Sequence, residues 1–373
     1  MVDIAVVRTA NSIIYDPRVT KIVTSLSKKY SVIALGWNRD AISQEKINNY
    51  IVKLELFKLK TSVWKPSMIR IIMRMLIFFP PFWIWVFLKL LVYRPDVIHA
   101  CDLDSILPCY IYKVLFRKRL VFDVFDRYAI TFIPKKFKML YVIANSIEEL
   151  ISKFSDALIV ANGEKVLKSF KKTPRYCQII LNCPYDEFVN LSHIPKKNEP
   201  FTITFTGHIR THRGLELLIA DIGNIRDVQL VITGRQEDQS LFNELQGIPN
   251  VKYHGLIDDF ELLELQASSG VMVAFYDPEF FANNMPLPNK LFEAMMCSVP
   301  IITNVAQEIV KETNCGIVVD YNKDKIKEAI LTLRDNPELR KSLGNNGRKS
   351  FLKKYNWGVM EQRLYKIYEN LLR

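Results

Sequence analysis

The first half of the chain alternates short, continuous apolar runs with longer stretches in which apolar residues recur every three or four positions. The short runs are typical of strands buried on both faces, and the longer stretches are typical of amphipathic helices. The predicted strands are Ile4–Val7, Ser31–Leu35, Val97–Ala100, Leu120–Val124, Ala157–Val160 and Gln178–Leu181. The helices predicted between them are Val19–Lys28, Leu103–Leu115, Phe137–Phe154 and Gly163–Phe170. This alternation predicts a parallel sheet with helices on both faces.

The same alternation restarts after a polar connector at residues 185–200. The strands predicted there are Phe201–Phe205, Val228–Thr233, Val251–His254, Val271–Phe275 and Pro300–Thr303. Single cores tend to stop growing near ~250 residues, so this longer chain is expected to form two domains, residues 1–190 and 191–354. Both are predicted to be Rossmann-like α/β domains with doubly wound sheets that face each other across a cleft and bind ligands at their strand ends. A final amphipathic helix, residues 355–373, is expected to pack back on the first domain.

The six cysteines form no Cys-x-x-Cys pair and have no histidine at zinc-finger spacing. Neither a disulfide framework nor a structural metal is therefore expected, and the chain is assigned to a reducing compartment. The first apolar run is interpreted as a buried strand rather than a signal peptide.

Positive charge is concentrated in the first half of the chain. Residues 1–190 contain 29 Lys and Arg against 16 Asp and Glu, whereas the remainder contains 22 against 23. A positive field on one side of a protein suggests a polyanionic partner, either nucleic acid or an anionic membrane surface.

An apolar run from Met75 to Leu88 favours the membrane. The run is shorter than the ~20 residues needed to cross a bilayer, and Pro80 and Pro81 are expected to break a straight helix. Two interpretations stay open: a buried pair of core helices, or a monotopic insertion anchored by Phe82, Trp83 and Trp85. Nucleic acid needs no such apolar segment, so a peripheral position on an anionic membrane surface is the preferred expectation and nucleic acid is not expected as a partner.

The segment FTGHIRTHRGLE, residues 205–216, carries candidate anion-binding groups. Gly207 permits a tight turn after a strand, and a helix is predicted to start near Gly214. Arg210 and Arg213 therefore lie on a strand-to-helix loop, where guanidinium groups and backbone N–H groups suit a diphosphate. The alternative interpretation is a solvated basic loop.

A second candidate lies in PNKLFEAMM, residues 288–296. A helix that begins near Pro288 has free N–H groups in its first turn, and its dipole favours an anion there. Glu293 lies one turn later on the same side as Asn289 and Lys290. Because a carboxylate does not bind phosphate, a group rich in hydroxyls such as ribose is its expected partner. The alternative is a surface ion pair between Lys290 and Glu293.

Taken together, these segments resemble the retaining family-4 glycosyltransferases, which have the GT-B fold. FTGHIRTHRGLELLI, VQLVITG, VKYHGLIDDFELLELQASSGVMVAF and PNKLFEAMMCSVPII are similar to landmarks of that family. YDPRVTKIVTSLSKKYSVIAL, PDVIHACDLDSI, LVFDVFDRY and IILNCPYDEF match its first half in order and spacing. The resemblance implies two Rossmann-like domains and a nucleotide-sugar donor.

Roles follow from the resemblance position by position. It implies that Gly207, His208 or Arg210, and Arg213 hold the donor diphosphate, and that Glu293 holds the ribose. The helix start at Asn289, Lys290 and Leu291 is expected to contact phosphate and sugar. The resemblance also implies retention at the anomeric carbon, with the departing phosphate accepting the proton of the acceptor. No metal and no cofactor are expected, although Asp102 and Asp104 have the spacing of an Asp-x-Asp motif.

Three departures from the family pattern affect the remaining site residues. The family's paired carboxylates are separated by seven residues, but Met285 stands at the first of these positions, eight before Glu293. Phe125-Asp126 replaces a common His-Glu pair. The usual glycine-rich first loop is replaced by RTANS, so Arg8, Asn11 and Ser12 are assigned to the acceptor side. Asp102 and Asp126 are the catalytic candidates, as groups that orient the acceptor.

The sequence thus predicts a glycosyltransferase that acts on a lipid-linked glycan or glycolipid at the cytoplasmic face of a membrane. Two alternatives stay open. A nucleotide-sugar 2-epimerase shares the fold but needs ionisable groups around the sugar, and a non-enzymatic nucleotide-sugar-binding protein needs no acceptor.

Overall fold

The computed structural model describes residues 2–9, 13, 16–38, 53–59, 68–133, 137–191, 199–280 and 286–373, with the backbone alone for 68–76 and 132. The chain divides into two compact units. Unit 1 comprises Met1–Leu181 and Glu361–Arg373, and unit 2 comprises Asn182–Met360.

Unit 1 is built on a seven-stranded parallel sheet, as the run pattern predicts. Its strands are Ile4–Arg8 (β1), Val32–Trp37 (β2), Lys53–Phe57 (β3), Val97–Cys101 (β4), Arg119–Val124 (β5), Ala157–Val160 (β6) and Tyr176–Ile179 (β7). Their order across the sheet is β3-β2-β1-β4-β5-β6-β7. All residues of β1, β2, β4 and β6 are buried, because helices cover both faces.

Helices alternate with most of these strands along the chain. They are Pro17–Ser27 (α1), Met68–Tyr93 (α2), Leu103–Phe116 (α3), Tyr128–Phe132 (α4), Lys138–Phe154 (α5) and Glu164–Lys168 (α6). The sheet order turns at β1, so α1 covers one face while α2, α3 and α5 cover the other. The Trp83 indole donates to the carbonyl of Asp104 over 2.7 Å and joins α2 to α3.

The apolar run at 75–88 lies inside α2, and the helix continues through Pro80 and Pro81. The predicted break is therefore wrong. Phe82 is 0% exposed and stacks on Trp37 with 5.3 Å between ring centroids, while Trp83 and Trp85 are half-buried against the same core. The interpretation of Phe82 as a membrane anchor is wrong, because this side of α2 packs on the sheet. No helix among the described residues is long and apolar enough to span a bilayer.

Unit 2 is built on a six-stranded parallel sheet. Its strands are Phe201–Thr206 (β8), Val228–Thr233 (β9), Val251–Tyr253 (β10), Val271–Ala274 (β11), Ile301–Thr303 (β12) and Gly316–Val318 (β13), in the order β10-β9-β8-β11-β12-β13. The helices are Leu215–Ile222 (α7), Gln239–Gln246 (α8), Asp259–Ser268 (α9), Asn289–Met296 (α10), Gln307–Thr313 (α11), Lys323–Asp335 (α12) and Pro337–Lys354 (α13). Two Rossmann-like units with parallel sheets are thus the observed architecture, as the sequence predicts.

The last helix, Trp357–Leu371 (α14), brings the end of the chain into unit 1. The Tyr368 hydroxyl lies 2.6 Å from Nδ1 of His99 on β4, and both side chains are fully buried. The Tyr365 hydroxyl donates to the carbonyl of Ser25 over 2.9 Å, so α14 packs on the face that α1 covers.

Candidate functional site

The carboxyl ends of the six parallel strands of unit 2 lie at one edge of its sheet, and the predicted donor residues are placed there. The backbone N–H of Gly207, just after β8, donates to the carbonyl of Thr233 at the end of β9 over 2.9 Å. A Cβ on Gly234 would lie 1.8 Å from the Gly207 carbonyl oxygen, so only glycine allows the two turns to meet. This close approach shapes the floor of the site.

The loop from Gly207 to Arg213 holds its polar side chains in separate contacts. Nδ1 of His208 lies 2.6 Å from Glu237, and Arg210 approaches the same carboxylate at 3.9 Å. The Arg213 guanidinium lies 4.5 Å from the ring centroid of Tyr276, which follows β11. Arg213 is therefore directed toward the centre of the strand-end edge, whereas His208 and Arg210 are exposed at its side.

Helix α10 begins at Asn289, as the sequence predicts, and its first turn brings a second cation to Gly207. The Lys290 ammonium lies 3.0 Å from the position that a Cβ on Gly207 would occupy. Burial lowers the pKa of Lys290, Arg213 lowers it further, and Glu293 opposes both. A bound anion would stabilise the charged ammonium and raise its pKa again. The pocket is therefore suited to an anion.

The other residues of α10 differ in what they present. The Glu293 carboxylate accepts a 2.9 Å hydrogen bond from Nε2 of Gln266, a buried residue of α9. Asn289 is exposed, and its side-chain oxygen accepts from Asn182 over 3.3 Å. Leu291 buries its side chain in the core and donates its N–H to the Pro288 carbonyl over 3.1 Å. Glu293 thus keeps one carboxylate oxygen fixed by the fold.

A histidine–carboxylate pair that sequence reasoning did not identify lies beside this loop. Nδ1 of His212 is 2.7 Å from Asp277, and the His212 ring stacks on Phe280 at 4.4 Å. The His212 contact lowers the pKa of Asp277. The two residues are 65 positions apart, so no local sequence pattern predicts that they form a pair. Met285 lies outside the described residues.

Three of the residues predicted for the acceptor side and catalysis, Arg8, Asp102 and Asp126, lie at or just after the ends of β1, β4 and β5. The buried Arg8 side chain donates to Asp102 over 2.5 Å and to Asp16 over 3.0 Å. The second oxygen of Asp102 accepts the backbone N–H of Phe125 over 2.8 Å. Burial raises the pKa of Asp102 to about 7, while Arg8 opposes the shift. The Arg8 charge is paired with Asp16 as well as with Asp102. Asp102 can therefore exchange a proton near neutral pH.

Asp126, the other catalytic candidate, accepts a 2.7 Å hydrogen bond from Nδ2 of Asn162. The same amide donates to the Phe125 carbonyl over 2.8 Å, which fixes the turn after β5. Asn11 and Ser12 lie outside the described residues.

One group of potential metal ligands occurs among the described residues: His99, Cys101 and Asp123 in the core of unit 1. The Arg18 guanidinium donates to both oxygens of Asp123 over 2.8 and 3.3 Å. Burial alone would raise the pKa of Asp123, but Arg18 and His99 lower it below its ordinary value. Arg18 supplies the positive charge that this carboxylate needs, so the group is a buried ion-pair network.

Residues 200–336 match the family model described as Glycosyl transferases group 1. The strand-end site of unit 2 lies within this range.

Three known proteins match this chain in sequence over different shares of its length. MJ1178 of Methanocaldococcus jannaschii, an uncharacterized glycosyltransferase, is 43% identical over 21% of this chain and 23% of its own length. MJ1069 of the same organism, also an uncharacterized glycosyltransferase, is 23% identical over 70% of each chain. The capsular polysaccharide biosynthesis glycosyltransferase CapM of Staphylococcus aureus is 27% identical over 47% of this chain and 48% of its own. The matched part thus spans less than two thirds of MJ1178 and CapM.

Solved structures share the whole fold. Sucrose-phosphate synthase of Thermosynechococcus elongatus has a TM-score of 0.75 and 16% identity, over 100% of this chain and 99% of that chain. Anabaena Alr3699/HepE in complex with UDP has a TM-score of 0.73 and 14% identity, over 99% and 100% of the two chains. The chain therefore has the GT-B fold, and unit 2 contains a glycosyl transferases group 1 domain.

Proposed function

We propose that this group 1 protein transfers a sugar from a nucleoside-diphosphate sugar to a lipid-linked glycan or glycolipid, with retention at the anomeric carbon. The observation that carries the proposal is the pairing of Arg213 and Lys290 beside the start of α10, with Glu293 one turn away. Two cations and a helix N-terminus suit a diphosphate, and a carboxylate suits the hydroxyls of a ribose.

The donor is assigned to unit 2. Arg213, the Lys290 ammonium and the backbone N–H groups of Asn289 and Lys290 bind the diphosphate, and Glu293 accepts hydrogen bonds from the ribose. The N–H of Leu291 is not assigned to the donor, because it donates to the Pro288 carbonyl. The Anabaena protein of the same fold was solved with UDP and with UDP-glucose, so a uridine nucleotide is the first probe to use. His208 and Arg210, held at Glu237, contribute positive charge at the rim.

The reaction follows from these roles. The bond between the anomeric carbon and the diphosphate oxygen breaks, and the acceptor hydroxyl forms its bond on the same face of the sugar. The departing phosphate oxygen takes the hydroxyl proton. Negative charge on the diphosphate grows as the bond breaks, and the fixed cations stabilise that charge more in the transition state than in the ground state. No step in this proposal uses a metal ion.

The acceptor is assigned to unit 1. Asp102 has a pKa near neutrality, and it orients the acceptor hydroxyl by accepting a hydrogen bond when it is ionised. Arg8 holds Asp102 in place. Asp126, just after β5, is the second group assigned to the acceptor. The excess of basic residues in 1–190 favours an acceptor on the cytoplasmic face of an anionic membrane.

A thermal-shift screen of UDP, GDP and their sugar conjugates tests donor binding, and release of free nucleoside diphosphate tests transfer. We expect release only when a glycolipid acceptor is added. Conversion of the donor into a nucleotide-sugar with an altered sugar, without acceptor and without release of UDP, would identify a 2-epimerase. Binding without any turnover would identify a binding protein. The same assay in EDTA should retain activity, and full loss restored by manganese would contradict the metal-free proposal.

A further inference from the structure

Helix α5 of unit 1 exposes apolar side chains where a surface helix normally presents polar ones. Met139, Ile143, Ile147, Leu150 and Phe154 are three or four residues apart, so they form one stripe along the helix. All five are exposed, and Met139 is 78% exposed. The side of α5 that packs inward is formed by Glu148, Ile151 and Ser152, so the apolar stripe is additional to the core.

The neighbouring helices carry the same kind of stripe. On α3, Leu107, Ile111, Val114 and Leu115 are exposed at spacings of three and four residues. The Lys113 ammonium joins α3 to α5, because it donates to the Phe154 carbonyl and forms a 2.9 Å ion pair with Asp156.

Helix α2 extends this surface on the other side of α3. Ile77, Ile84, Leu88 and Val92 are exposed and recur at helical spacing, opposite the buried Phe82, Val86 and Leu90. The rings of Phe87 and Tyr112 lie 6.4 Å apart between the two helices. We call the exposed stripes of α2, α3 and α5 together the outer apolar face. Single exposed apolar residues are normal, but a continuous face over three adjacent helices marks an interaction surface.

The charges around this face identify its partner. In the described segments 77–94, 103–119 and 137–154, every exposed charged residue is basic: Arg94, Arg117, Arg119, Lys138 and Lys153. A second copy of the chain would bring these like charges together, whereas an anionic lipid surface complements them. Helices that lie in a membrane interface combine an apolar side with such basic residues.

We propose that the outer apolar face docks unit 1 on an anionic lipid bilayer, with α2, α3 and α5 lying in the interface. The inference rests on exposure and charge in unit 1, and it holds independently of the sugar transfer proposed above. It places the contact on the opposite side of α2 from Phe82.

Flotation with phosphatidylcholine vesicles that contain phosphatidylglycerol tests this docking. We expect the full-length wild-type protein to float with these vesicles. The triple change Met139→Ser, Ile143→Ser and Leu150→Ser should reduce the bound fraction at least about tenfold, because it removes exposed apolar area without changing charge. The matched control is Leu256→Ser, Phe260→Ser and Leu352→Ser, three exposed apolar residues of unit 2, which should bind like the wild type.

The basic border is tested separately. Lys138→Gln with Lys153→Gln should weaken binding at low salt and lose that effect at high salt, where charges are screened. Vesicles of phosphatidylcholine alone should bind at least about tenfold less protein.

Two results would overturn the proposal: wild-type protein that ignores the anionic vesicles, or a serine triple variant that floats like the wild type. If the wild type is a dimer in sedimentation velocity and the serine variant a monomer, the face joins two copies, which also overturns it. Far-UV circular dichroism and a cooperative thermal unfolding transition check that each variant is folded. Vesicle binding without transfer would refute the proposed function alone, and transfer to a detergent-dispersed glycolipid without vesicle binding would refute the docking alone.

Discussion

Arg213 approaches the strand-end edge of unit 2 from the loop after β8, and Lys290 approaches it from the first turn of α10. Each is positioned by a contact with a specific partner. Arg213 lies over Tyr276, and the Lys290 ammonium lies 3.0 Å from the position of a Cβ on Gly207, so a side chain there would crowd it. Glu293 is oriented by Gln266. Positive charge and a hydrogen-bond acceptor are thus fixed before any ligand binds, which lowers the cost of ordering them on binding.

Replacing Arg213 or Glu293 by alanine should weaken UDP binding strongly. A hydrogen bond to a charged group contributes ~1.5–3 kcal/mol, which corresponds to about tenfold to a hundredfold in affinity. Isothermal titration measures this loss, and Arg226→Ala, an exposed arginine before β9, is the matched control. Unchanged UDP affinity in both variants would contradict the donor site.

Protonation of Asp102 makes the free energy of unfolding depend on pH. Its pKa of about 7 in the folded protein exceeds the ordinary value of 3.8, so the folded state binds the proton more tightly than the unfolded chain. This group's contribution to the free energy of unfolding is therefore fully present below about pH 4 and lost as the pH rises toward about 7. Asp102→Asn should remove this part of the slope, measured by urea unfolding at several pH values. A variant destabilised most above pH 7 would instead show that the charged pair with Arg8 dominates.

At the scale of elements, α2 illustrates why an apolar run is ambiguous. Apart from Arg70, Arg74 and Lys89 its residues are nearly all apolar, so the helical period alone does not reveal which side packs on the sheet. The structure places Phe82 against Trp37 and leaves Ile84 on the outside.

Two substitutions on α2 separate these environments. Phe82→Ala should lower the free energy of unfolding by about 3–5 kcal/mol, because it leaves a cavity in the core. Ile84→Ala, 62% exposed in the wild type, should change it by less than about 0.5 kcal/mol. Urea unfolding of both variants checks this difference. Equal effects would contradict the orientation of α2.

At the scale of the whole molecule, the end of the chain completes the core of unit 1. Tyr368 on α14 reaches His99 beside the buried pair of Arg18 and Asp123. A network of this kind is costly to disturb, because each buried polar group depends on its partners.

Tyr368→Phe should lower the free energy of unfolding by roughly 1–3 kcal/mol, because the hydroxyl beside His99 Nδ1 is lost from a fully buried site. Tyr141→Phe, on the exposed part of α5, is the matched control and should have little effect. Thermal and urea unfolding measure the difference. A Tyr368→Phe variant as stable as the wild type would show that α14 contributes only apolar packing there.

Local sequence patterns are enough to predict the two parallel α/β sheets and a helix that begins near Pro288, because strand runs, helical periods and a Pro-Asn-Lys helix start involve only neighbouring residues. The roles of Glu293, Arg213 and Asp102 in binding and transfer stay predictions. Only the tertiary structure decided that β3 and β13 join the sheets, that Asp16 shares Arg8 with Asp102, that His212 meets Asp277, and that Phe82 is buried while Ile84 is not. Each of these depends on which distant residue a side chain meets, and a local pattern carries no information about a neighbour that the fold brings from elsewhere in the chain.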